Sequence, residues 1–452
     1  MIDMTNGLNS FLFSTPEMTR VFAAQQQLRA MIRFEWALTC ALEKQELAAS
    51  GSGSAVEPLL DAAFVDFDEL EREAKNAGNI VIPLIRQLTA AVRTRNERSA
   101  RAIHLGATSQ DVLDTALVLQ MRDALKLMDD SIGRLDTALA KLVHTYRDTL
   151  LTGRTWLQPG PPTTLGLKIA GTLSALRRNR DRIRAAAERA LVLQFGGAVG
   201  TLASLGTAGT LVSAELARIL DLREADLPWH TQRDNLVEVV AVLATLTGSL
   251  AKFAHDVALL MQAEVGEASE GGTDNRGGSS TMPHKRNPVA CAAVLASHAR
   301  MPGLAATMLN SMPQEHERGL GLWQTEWESV PEAFRLASAA LAYSIDIAEN
   351  LDVDAARMQA NFDNLLGLTM SESISTALSS KIGRAAAHDL LRIACARAAE
   401  ERRHLREVLV ELPEVTAHLN RELIEQLMHP GAYLGSSRLF IARVVGEPDA
   451  HS

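Results

Sequence analysis

Hydrophobic residues recur at intervals of three and four along much of this chain, which is the period of an α-helix with one buried face. Residues 30–45 place four apolar side chains on one stripe: Met31, Phe34, Leu38 and Leu42. The pattern continues through residues 113–147 and 167–194, and the second of these carries a strongly basic face. Residues 236–262 are apolar on almost every side, so this helix must be covered all round, in a bundle or by other subunits.

The composition agrees with this helical pattern. The chain has 452 residues, 47% of them hydrophobic but only 4% aromatic, with 29 glycines and 15 prolines. A β-sandwich or barrel needs more β-forming and turn-forming residues, so we predict an all-α protein. At roughly 150 residues per domain, the length indicates about three domains.

Charge and cysteine content exclude several classes of function. The formal net charge is −9, which argues against binding to a phosphate backbone. The three cysteines lie far apart without C-x-x-C spacing, so neither a disulfide framework nor a thiolate zinc site is expected. No basic segment precedes Arg20, and no apolar run reaches the ~18–20 residues of a membrane helix. We expect a cytoplasmic protein without nucleic-acid or membrane partners.

Three segments interrupt the helical pattern: residues 104–115, the proline-rich residues 152–166, and residues 264–288. The last segment holds five glycines and then Ser279, Ser280, His284, Lys285, Arg286 and Asn287. Long loops of this kind in compact proteins are usually functional, so we interpret residues 264–288 as a mobile active-site loop.

The chain lacks the motifs of dinucleotide, nucleoside-triphosphate, zinc-protease and serine-hydrolase sites. We therefore expect no metal and no cofactor. The remaining hydroxyls, amides and cations suit a site that binds a small anion and moves a proton.

GSSTMPHKRNP (278–288), HLGATSQD (104–111) and GRTWLQPGPPTTLG (153–166) resemble, in the right order, the three motif regions of the fumarase/aspartase superfamily. PWHTQRD (228–234) and PQEHERGLGLW (313–323) extend the resemblance over most of the chain. These two segments, together with GGSSTMPHKRNP (277–288), are most similar to the lactone-forming branch of that superfamily.

The resemblance implies a fold and an assembly. The fold is all-α with three domains, which we place at residues 1–113, 114–366 and 367–452. Its central long-helix bundle assembles into a homotetramer with a helical core, and each active site combines segments of three subunits. The implied substrate is a small polycarboxylate.

The resemblance also implies roles for individual residues. Ser279 matches the general base of the loop, and Lys285 matches a contact to a substrate carboxylate. On physical grounds, Lys285 and backbone N–H groups at a helix start could also supply the positive potential that a serine anion needs. The residues that match substrate-binding positions are Thr108, Ser109, Thr155, Trp156, Gln232, Asn287 and Arg318. His104 either binds substrate or makes a structural hydrogen bond, and His230 either contacts substrate or caps a neighbouring group.

Two positions depart from the superfamily pattern. Many of its lyases have a histidine where this chain has Trp156, and a glutamate paired with that histidine where this chain has Ala292. That pair helps to protonate a poor leaving group. A carboxylate, with an acid pKa of about 4, departs without protonation, and opening a γ-lactone by β-elimination expels a carboxylate.

The departure therefore favours the reverse of that step, the formation of a lactone. The resemblance implies that this step is the closure of 3-carboxy-cis,cis-muconate to 4-carboxymuconolactone by anti addition. Two alternatives stay open. The first is a lyase that releases fumarate and has moved its acid to His104 or His230, and the second is an inactive structural homologue.

Overall fold

The computed structural model describes residues 8–272, 277–278, 281–282 and 284–446. These residues form eighteen α-helices: α1 Pro16–Val21, α2 Ala24–Lys44, α3 Ser52–Val56, α4 Phe67–Ala77, α5 Val81–Arg93, α6 Ser109–Thr145, α7 Leu165–Ala190, α8 Gly209–Leu220, α9 Asp234–Leu260, α10 Val289–Asn310, α11 Glu326–Asn350, α12 Ala355–Asp363, α13 Ser371–Ile382, α14 Arg384–Glu401, α15 Leu405–Glu411, α16 Pro413–Thr416, α17 Arg421–Leu427 and α18 Ser437–Val445. The prediction of an all-α protein is confirmed, and each periodic stretch of the sequence falls on one of the long helices.

Two short antiparallel sheets interrupt the helices of the described chain: strands β1 Leu150–Thr155 and β2 Gln158–Thr164, and strands β3 Ala268–Ser269 and β4 Asp352–Val353. The proline-rich segment is thus a β-hairpin where the sequence predicted only a break. A two-stranded sheet has an open edge on each strand, and an open edge tolerates prolines that cannot donate a hydrogen bond. The pairing register shifts between Thr152 and Arg154.

The chain divides into two compact units. Unit one comprises residues 1–132, 179–248 and 296–342, and unit two comprises residues 133–178, 249–295 and 343–452. The boundaries between them fall inside α6, α7, α9, α10 and α11. The predicted division into three domains at residues 113 and 366 stays a prediction.

Each unit has its own hydrophobic core. The core of unit one joins buried side chains of α2, α5, α8 and the first turns of α6. The apolar stripe predicted for α2 lies in this core, since Met31, Phe34, Leu38 and Leu42 are all fully buried. The core of unit two joins buried side chains of α12 to α17, including those of Ile374, Val408 and Ile424.

The basic face of α7 is neutralised by acidic residues on neighbouring helices. In unit one, Arg180 and Arg184 both bind the carboxylate of Asp129 on α6, and together they hold its pKa well below the usual range. In unit two, Arg177 makes a two-point contact with Asp136. The run of arginines is therefore part of the helix packing and not a nucleic-acid surface.

Helices α9 and α10 are more apolar than helices that bury only one face. By length and composition, α9 and α10 are each able to span a membrane, so the prediction that no apolar run is long enough was wrong. Core helices of soluble proteins pass the same test. Within the single chain, 56% of the most apolar window of α9 is buried, and only 28% of that of α10. Both helices thus leave apolar surface uncovered.

Candidate active site

The two units divide the candidate residues between them. Unit one holds His104, Thr108, Ser109, Gln232 and Arg318. Unit two holds Thr155, Trp156, Lys285 and Asn287. Ser279, the residue predicted to be the base, lies outside the described residues.

In unit one, a buried carboxylate joins two of the motif segments, residues 104–111 and 228–234, to the loop at residues 196–197. Asp111 lies in the first turn of α6 and is fully buried. It accepts hydrogen bonds from the backbone N–H of Thr108 at 3.0 Å, of Gly196 at 3.0 Å and of Gly197 at 2.9 Å. It also accepts one from Nε2 of His230 at 2.7 Å. A carboxylate with this many donors fixes the start of α6 to the loop at residues 196–197.

A second contact in unit one brings two predicted residues together. The guanidinium of Arg318 donates from one nitrogen to Oγ1 of Thr108 at 2.9 Å and from another to the carbonyl of Ala198 at 2.9 Å. The N-terminal end of a long helix favours anions, and here it lies beside a cation and a hydroxyl. Thr108 and Arg318 therefore form one cluster with the start of α6, and the charge of this cluster suits an anion.

The segment at residues 228–234 packs against the same cluster. Gln110 donates from Nε2 to the carbonyl of His230 at 2.7 Å, and Thr231 donates to the carbonyl of His316 at 3.0 Å. His230 is only 4% exposed. Of its two predicted roles, the geometry favours the structural one, since its ring binds Asp111.

His104 lies beside this cluster and is held by Glu35, a residue that no motif match selected. Its Nδ1 lies 2.7 Å from Oε1 of Glu35, and its backbone N–H donates to Oε2 of the same carboxylate at 2.9 Å. Burial of the His104 ring opposes protonation, but the carboxylates of Glu35 and Asp111 outweigh it and raise the pKa of His104.

One signal in the sequence points to Glu35. It lies four residues after Met31 and three before Leu38, so it occupies a position on the buried stripe of α2 where an apolar residue is expected. A charged residue at such a position requires a partner.

The other two candidates in unit one make fewer contacts. Ser109 is the first residue of α6 and is half-buried. Gln232 is exposed and lines a cavity of about 420 Å³ with Trp229 and Asp234. Among the hydrogen bonds of the described residues, none joins Gln232 to Thr108 or Arg318.

Behind Gln232 lies a buried ionic network that holds the segment in place. Arg233 has no exposed side-chain surface, and it binds Asp114 at 2.7 Å and 2.9 Å and Glu326 at 3.0 Å. Trp323 donates from its indole nitrogen to Asp114 at 3.0 Å. These residues connect α6, α9 and α11 beneath the candidate site.

In unit two, Thr155 and Trp156 lie at the tip of the β1–β2 hairpin. Thr155 pairs with Gln158, so Trp156 and Leu157 form a two-residue turn. Both have positive φ, 54° and 64°, which is a conformation that Asn-Gly usually supplies. Trp156 is 97% exposed and Leu157 is 73% exposed. The chain thus presents a tryptophan on a strained turn, an arrangement more typical of functional sites than of solvent-facing loops.

A buried ion pair fixes the hairpin behind its tip. Arg154 makes a two-point contact with Glu267, at 2.9 Å and 2.6 Å, and Asn361 donates to the same carboxylate at 2.9 Å. Glu267 is fully buried, so its charge depends on these partners.

In the described part of the loop at residues 264–288, Asn287 and Gly277 bind each other. The backbone N–H and the side-chain amide of Asn287 both donate to the carbonyl of Gly277, at 2.8 Å and 2.9 Å. Gly277 has φ of +66°, and a Cβ there would lie 2.2 Å from the carbonyl oxygen of Asn287, so only glycine fits. In this structure Asn287 closes the base of the loop. Its predicted contact with substrate stays a prediction.

Lys285 follows a turn in which its backbone N–H donates to the carbonyl of Met282 at 3.0 Å, and its side chain is exposed. At the end of the loop, Glu270 accepts the N–H groups of Ala290 and Cys291 at 3.1 Å and 2.6 Å. This carboxylate fixes the start of α10 and with it the end of the loop.

Comparison with known proteins places these features in a family. The family model described as "Lyase" matches residues 13–303, and the model for the adenylosuccinate lyase C-terminus matches residues 367–444. The chain belongs to the fumarase/aspartase superfamily. The sequence prediction of that superfamily and of its helical fold is confirmed.

Members of the superfamily with assigned names are similar over nearly the whole chain. A 3-carboxy-cis,cis-muconate cycloisomerase from Pseudomonas aeruginosa is 46% identical over 98% of this chain and 97% of its own length. An enzyme of the same name from Pseudomonas putida is 44% identical over 93% of this chain and all of its own. The crystal structure of a 3-carboxy-cis,cis-muconate lactonizing enzyme from Pseudomonas putida matches with a TM-score of 0.91 at 45% identity, covering 98% of each chain.

Proposed function

We propose that this protein is a cofactor-independent cycloisomerase that converts 3-carboxy-cis,cis-muconate to 4-carboxymuconolactone by anti addition, in the protocatechuate branch of the β-ketoadipate pathway. The observation that carries the proposal is the full-length similarity to relatives named for this reaction, at 46% and 44% identity.

The reaction balances without a cofactor. A lone pair of one substrate carboxylate forms a C–O bond to a carbon of the conjugated double bond. The π electrons move toward the neighbouring carboxylate and give an enolate-like dianion, which then takes one proton at carbon. Nothing is oxidised and no group leaves, so the protein must supply only orientation, charge stabilisation and a proton.

Ser279 is proposed to deliver this proton, and to remove it in the reverse direction. A serine hydroxyl donates and accepts protons efficiently only where its anion is stabilised. Lys285, exposed on the same loop, is proposed to supply that positive charge.

The cluster in unit one is proposed to bind a carboxylate of the substrate. It combines the N-terminal end of α6, the guanidinium of Arg318, the hydroxyl of Thr108 and the imidazole of His104. Ser109, Gln232, Thr155 and Asn287 are proposed to complete the binding of the three carboxylates.

Trp156 and Ala292 make this reaction more plausible than a lyase reaction. A lyase that expels an amine or hydroxide needs an acid, and neither residue has a proton to give at neutral pH. Lactone formation benefits instead from an apolar wall, because exclusion of water strengthens the charge interactions with the enolate.

We further propose that the protein works as a cytoplasmic homotetramer whose active sites combine segments of three subunits. Two features support the proposal. Trp156 is 97% exposed at the tip of its hairpin, and most of the apolar window of α10 is uncovered within the single chain. Apolar surface of this extent is typical of subunit interfaces.

The activity is tested by ultraviolet absorbance with the purified protein. Loss of the diene absorbance of 3-carboxy-cis,cis-muconate, with lactone as the product, is the expected result. Adenylosuccinate and argininosuccinate serve as comparison substrates. Release of fumarate from either, without reaction of the muconate, would favour the lyase, and no reaction with any substrate would favour an inactive homologue.

The assembly is tested by sedimentation and by mixing two inactive variants. We expect a tetramer at micromolar concentration, and a monomer would contradict the proposal. Ser279→Ala and Arg318→Ala carry their changes in different segments. If those segments meet only between subunits, hybrid tetramers of the two variants regain part of the activity, whereas sites contained in one chain give none.

A further inference from the structure

Glu35 directs its whole carboxylate at one residue. Oε1 lies 2.7 Å from Nδ1 of His104, and Oε2 accepts the backbone N–H of His104 at 2.9 Å. Glu35 is fully buried on α2, and among the ion pairs of the described residues its side chain has only this partner. The sequence separation is 69 residues, so the contact is a product of the tertiary fold.

A buried carboxylate with one partner is costly unless that partner is charged. Removing one member of such a pair is strongly destabilising in general, because the other charge is left uncompensated. A protonated His104 removes this problem, whereas a neutral His104 leaves the charge of Glu35 unbalanced.

The surrounding charges also favour the cation. Glu35 faces His104 from α2 and Asp111 faces it from α6, and the two carboxylates raise the pKa of His104 against the opposing effect of burial. The cation of the cluster is Arg318, whose guanidinium donates to Thr108 and to the carbonyls of residues 197–198.

The backbone of His104 is held in an unfavourable conformation. Its φ is +61°, in the left-handed region that non-glycine residues rarely adopt. The two hydrogen bonds that His104 donates to Glu35 fix both its backbone and its ring in that conformation. With Nδ1 engaged, Nε2 is the ring nitrogen left for a ligand, and the side chain keeps 23% of its surface exposed.

We infer that Glu35 is a positioning residue, which holds His104 as a fixed cation so that its Nε2–H binds a substrate carboxylate beside Thr108 and Arg318. The nature of the anion, a polycarboxylate, rests on the proposed function. The positioning itself does not.

The first test measures the titration of His104 by NMR of the histidine-labelled, full-length protein without substrate. The His104→Asn variant assigns the signal. In Glu35→Gln, which keeps the shape and one acceptor oxygen but replaces the other with an amide donor and removes the charge, His104 is expected to titrate about one pH unit lower or more. In Glu35→Asp the charge remains, and the titration should return toward that of the parent.

The matched control is Thr39→Val on the same helix. Thr39 is buried and donates from its hydroxyl to the backbone carbonyl of Glu35 at 2.7 Å. Its replacement loosens the same turn of α2 without a change of charge, so stability should fall while the titration of His104 stays unchanged. An unchanged titration in Glu35→Gln, or an equal shift in Thr39→Val, overturns the inference.

The second test uses tricarballylate, an unreactive tricarboxylate, as the probe. Its affinity for the parent should fall as pH rises through the pKa of His104. In Glu35→Gln His104 should lose its proton at lower pH than in the parent. At a pH between the two titrations the affinity should be about tenfold lower than that of the parent, and below both titrations it should be nearly unchanged. Equal weakening in both pH ranges would overturn carboxylate binding by His104. A parent that binds tricarballylate in this way but does not convert the muconate refutes the proposed function alone.

Discussion

The candidate residues of unit one and those of unit two differ in how many contacts they make within their own chain. In unit one, Asp111 is fully buried and accepts four hydrogen bonds, and Thr108 and Arg318 bind each other directly. In unit two, Trp156 stands 97% exposed on a strained turn, and the side chain of Lys285 is exposed as well. Contacts within one chain thus fix the first group, the residues of unit one. In the second group, the residues of unit two, Trp156 and Lys285 are exposed.

This difference suggests a division of labour. A carboxylate-binding cluster gains affinity from rigidity, since ordered groups lose little entropy when the substrate binds. Residues that surround the reacting carbons must let the substrate enter and then exclude water, so they suit an exposed hairpin and a loop. On this view, neighbouring subunits supply the contacts that the second group lacks in the single chain.

The largest expected effect comes from Ser279 on the loop. Ser279→Ala should lower turnover by about a thousandfold or more and leave substrate binding largely intact, because the lost interaction belongs to proton transfer. Single-turnover kinetics and equilibrium binding of tricarballylate separate the two quantities.

Ser280→Ala is the matched control for that experiment, since it removes the neighbouring hydroxyl. It should retain most of the activity. Near-normal turnover in Ser279→Ala, with a large loss in Ser280→Ala, would transfer the role of base to Ser280.

The second prediction restores the acid pair that this chain lacks. Trp156→His with Ala292→Glu replaces an apolar wall by polar groups, which admits water and weakens the stabilisation of the enolate. Cycloisomerase activity should fall by roughly ten- to a thousandfold, about 1.4–4 kcal/mol of barrier. Steady-state kinetics on 3-carboxy-cis,cis-muconate measures the loss.

Trp156→Phe keeps an apolar ring and should have a much milder effect. If the double variant is as fast as the parent, Trp156 is a passive replacement, and the argument from the carboxylate leaving group is wrong.

The helical period and the motif order were enough to predict the fold class and the superfamily. The β1–β2 hairpin was missed because Pro159, Pro161 and Pro162 indicate a break, and only the pairing with residues 150–155 shows that the strand has an open edge. Burial of α9 on all sides was predicted from its composition, but only 56% of its most apolar window is buried within the single chain.

At the site, motif matches selected Thr108 and Arg318, which the structure joins although 210 positions separate them. They did not select Glu35, which lies in an ordinary helical segment. Its partner is fixed by the packing of α2 against the loop before α6, a long-range contact that local sequence does not encode. The roles of Ser279 and of the other predicted site residues stay predictions.

The third prediction concerns Asp111, which fixes the first group of residues in unit one. Asp111→Asn keeps the shape of the side chain but removes its charge and replaces one acceptor with a donor that faces backbone N–H groups. The free energy of unfolding should fall by about 2–3 kcal/mol, and the affinity for tricarballylate should fall with it. Chemical denaturation of the full-length protein measures the first effect.

Asp123→Asn is the control, because Asp123 is 67% exposed on the same helix and makes only a 3.7 Å contact with Arg122. Its replacement should change stability by less than about 0.5 kcal/mol. Equal effects of the two substitutions would show that the hydrogen bonds of Asp111 do not organise the site.

The smallest effect is expected at the hairpin tip, where two contributions oppose each other. Leu157→Gly relieves a positive φ of 64°, which costs a leucine roughly 1–2 kcal/mol, but glycine loses about 0.5–1 kcal/mol more entropy on folding. If another subunit covers the tip, the variant also loses the packing of the leucine side chain, so the tetramer should be less stable by no more than about 1 kcal/mol. The melting temperature should then depend more steeply on protein concentration than in the parent, because the lost contact belongs to assembly.

Leu227→Gly removes another exposed leucine, one without a positive φ, and should lower the melting temperature equally at every concentration. A Leu157→Gly protein that melts higher than the parent at all concentrations would show that the hairpin tip is free in solution. The proposal that a neighbouring subunit contacts the second group of residues would then be wrong.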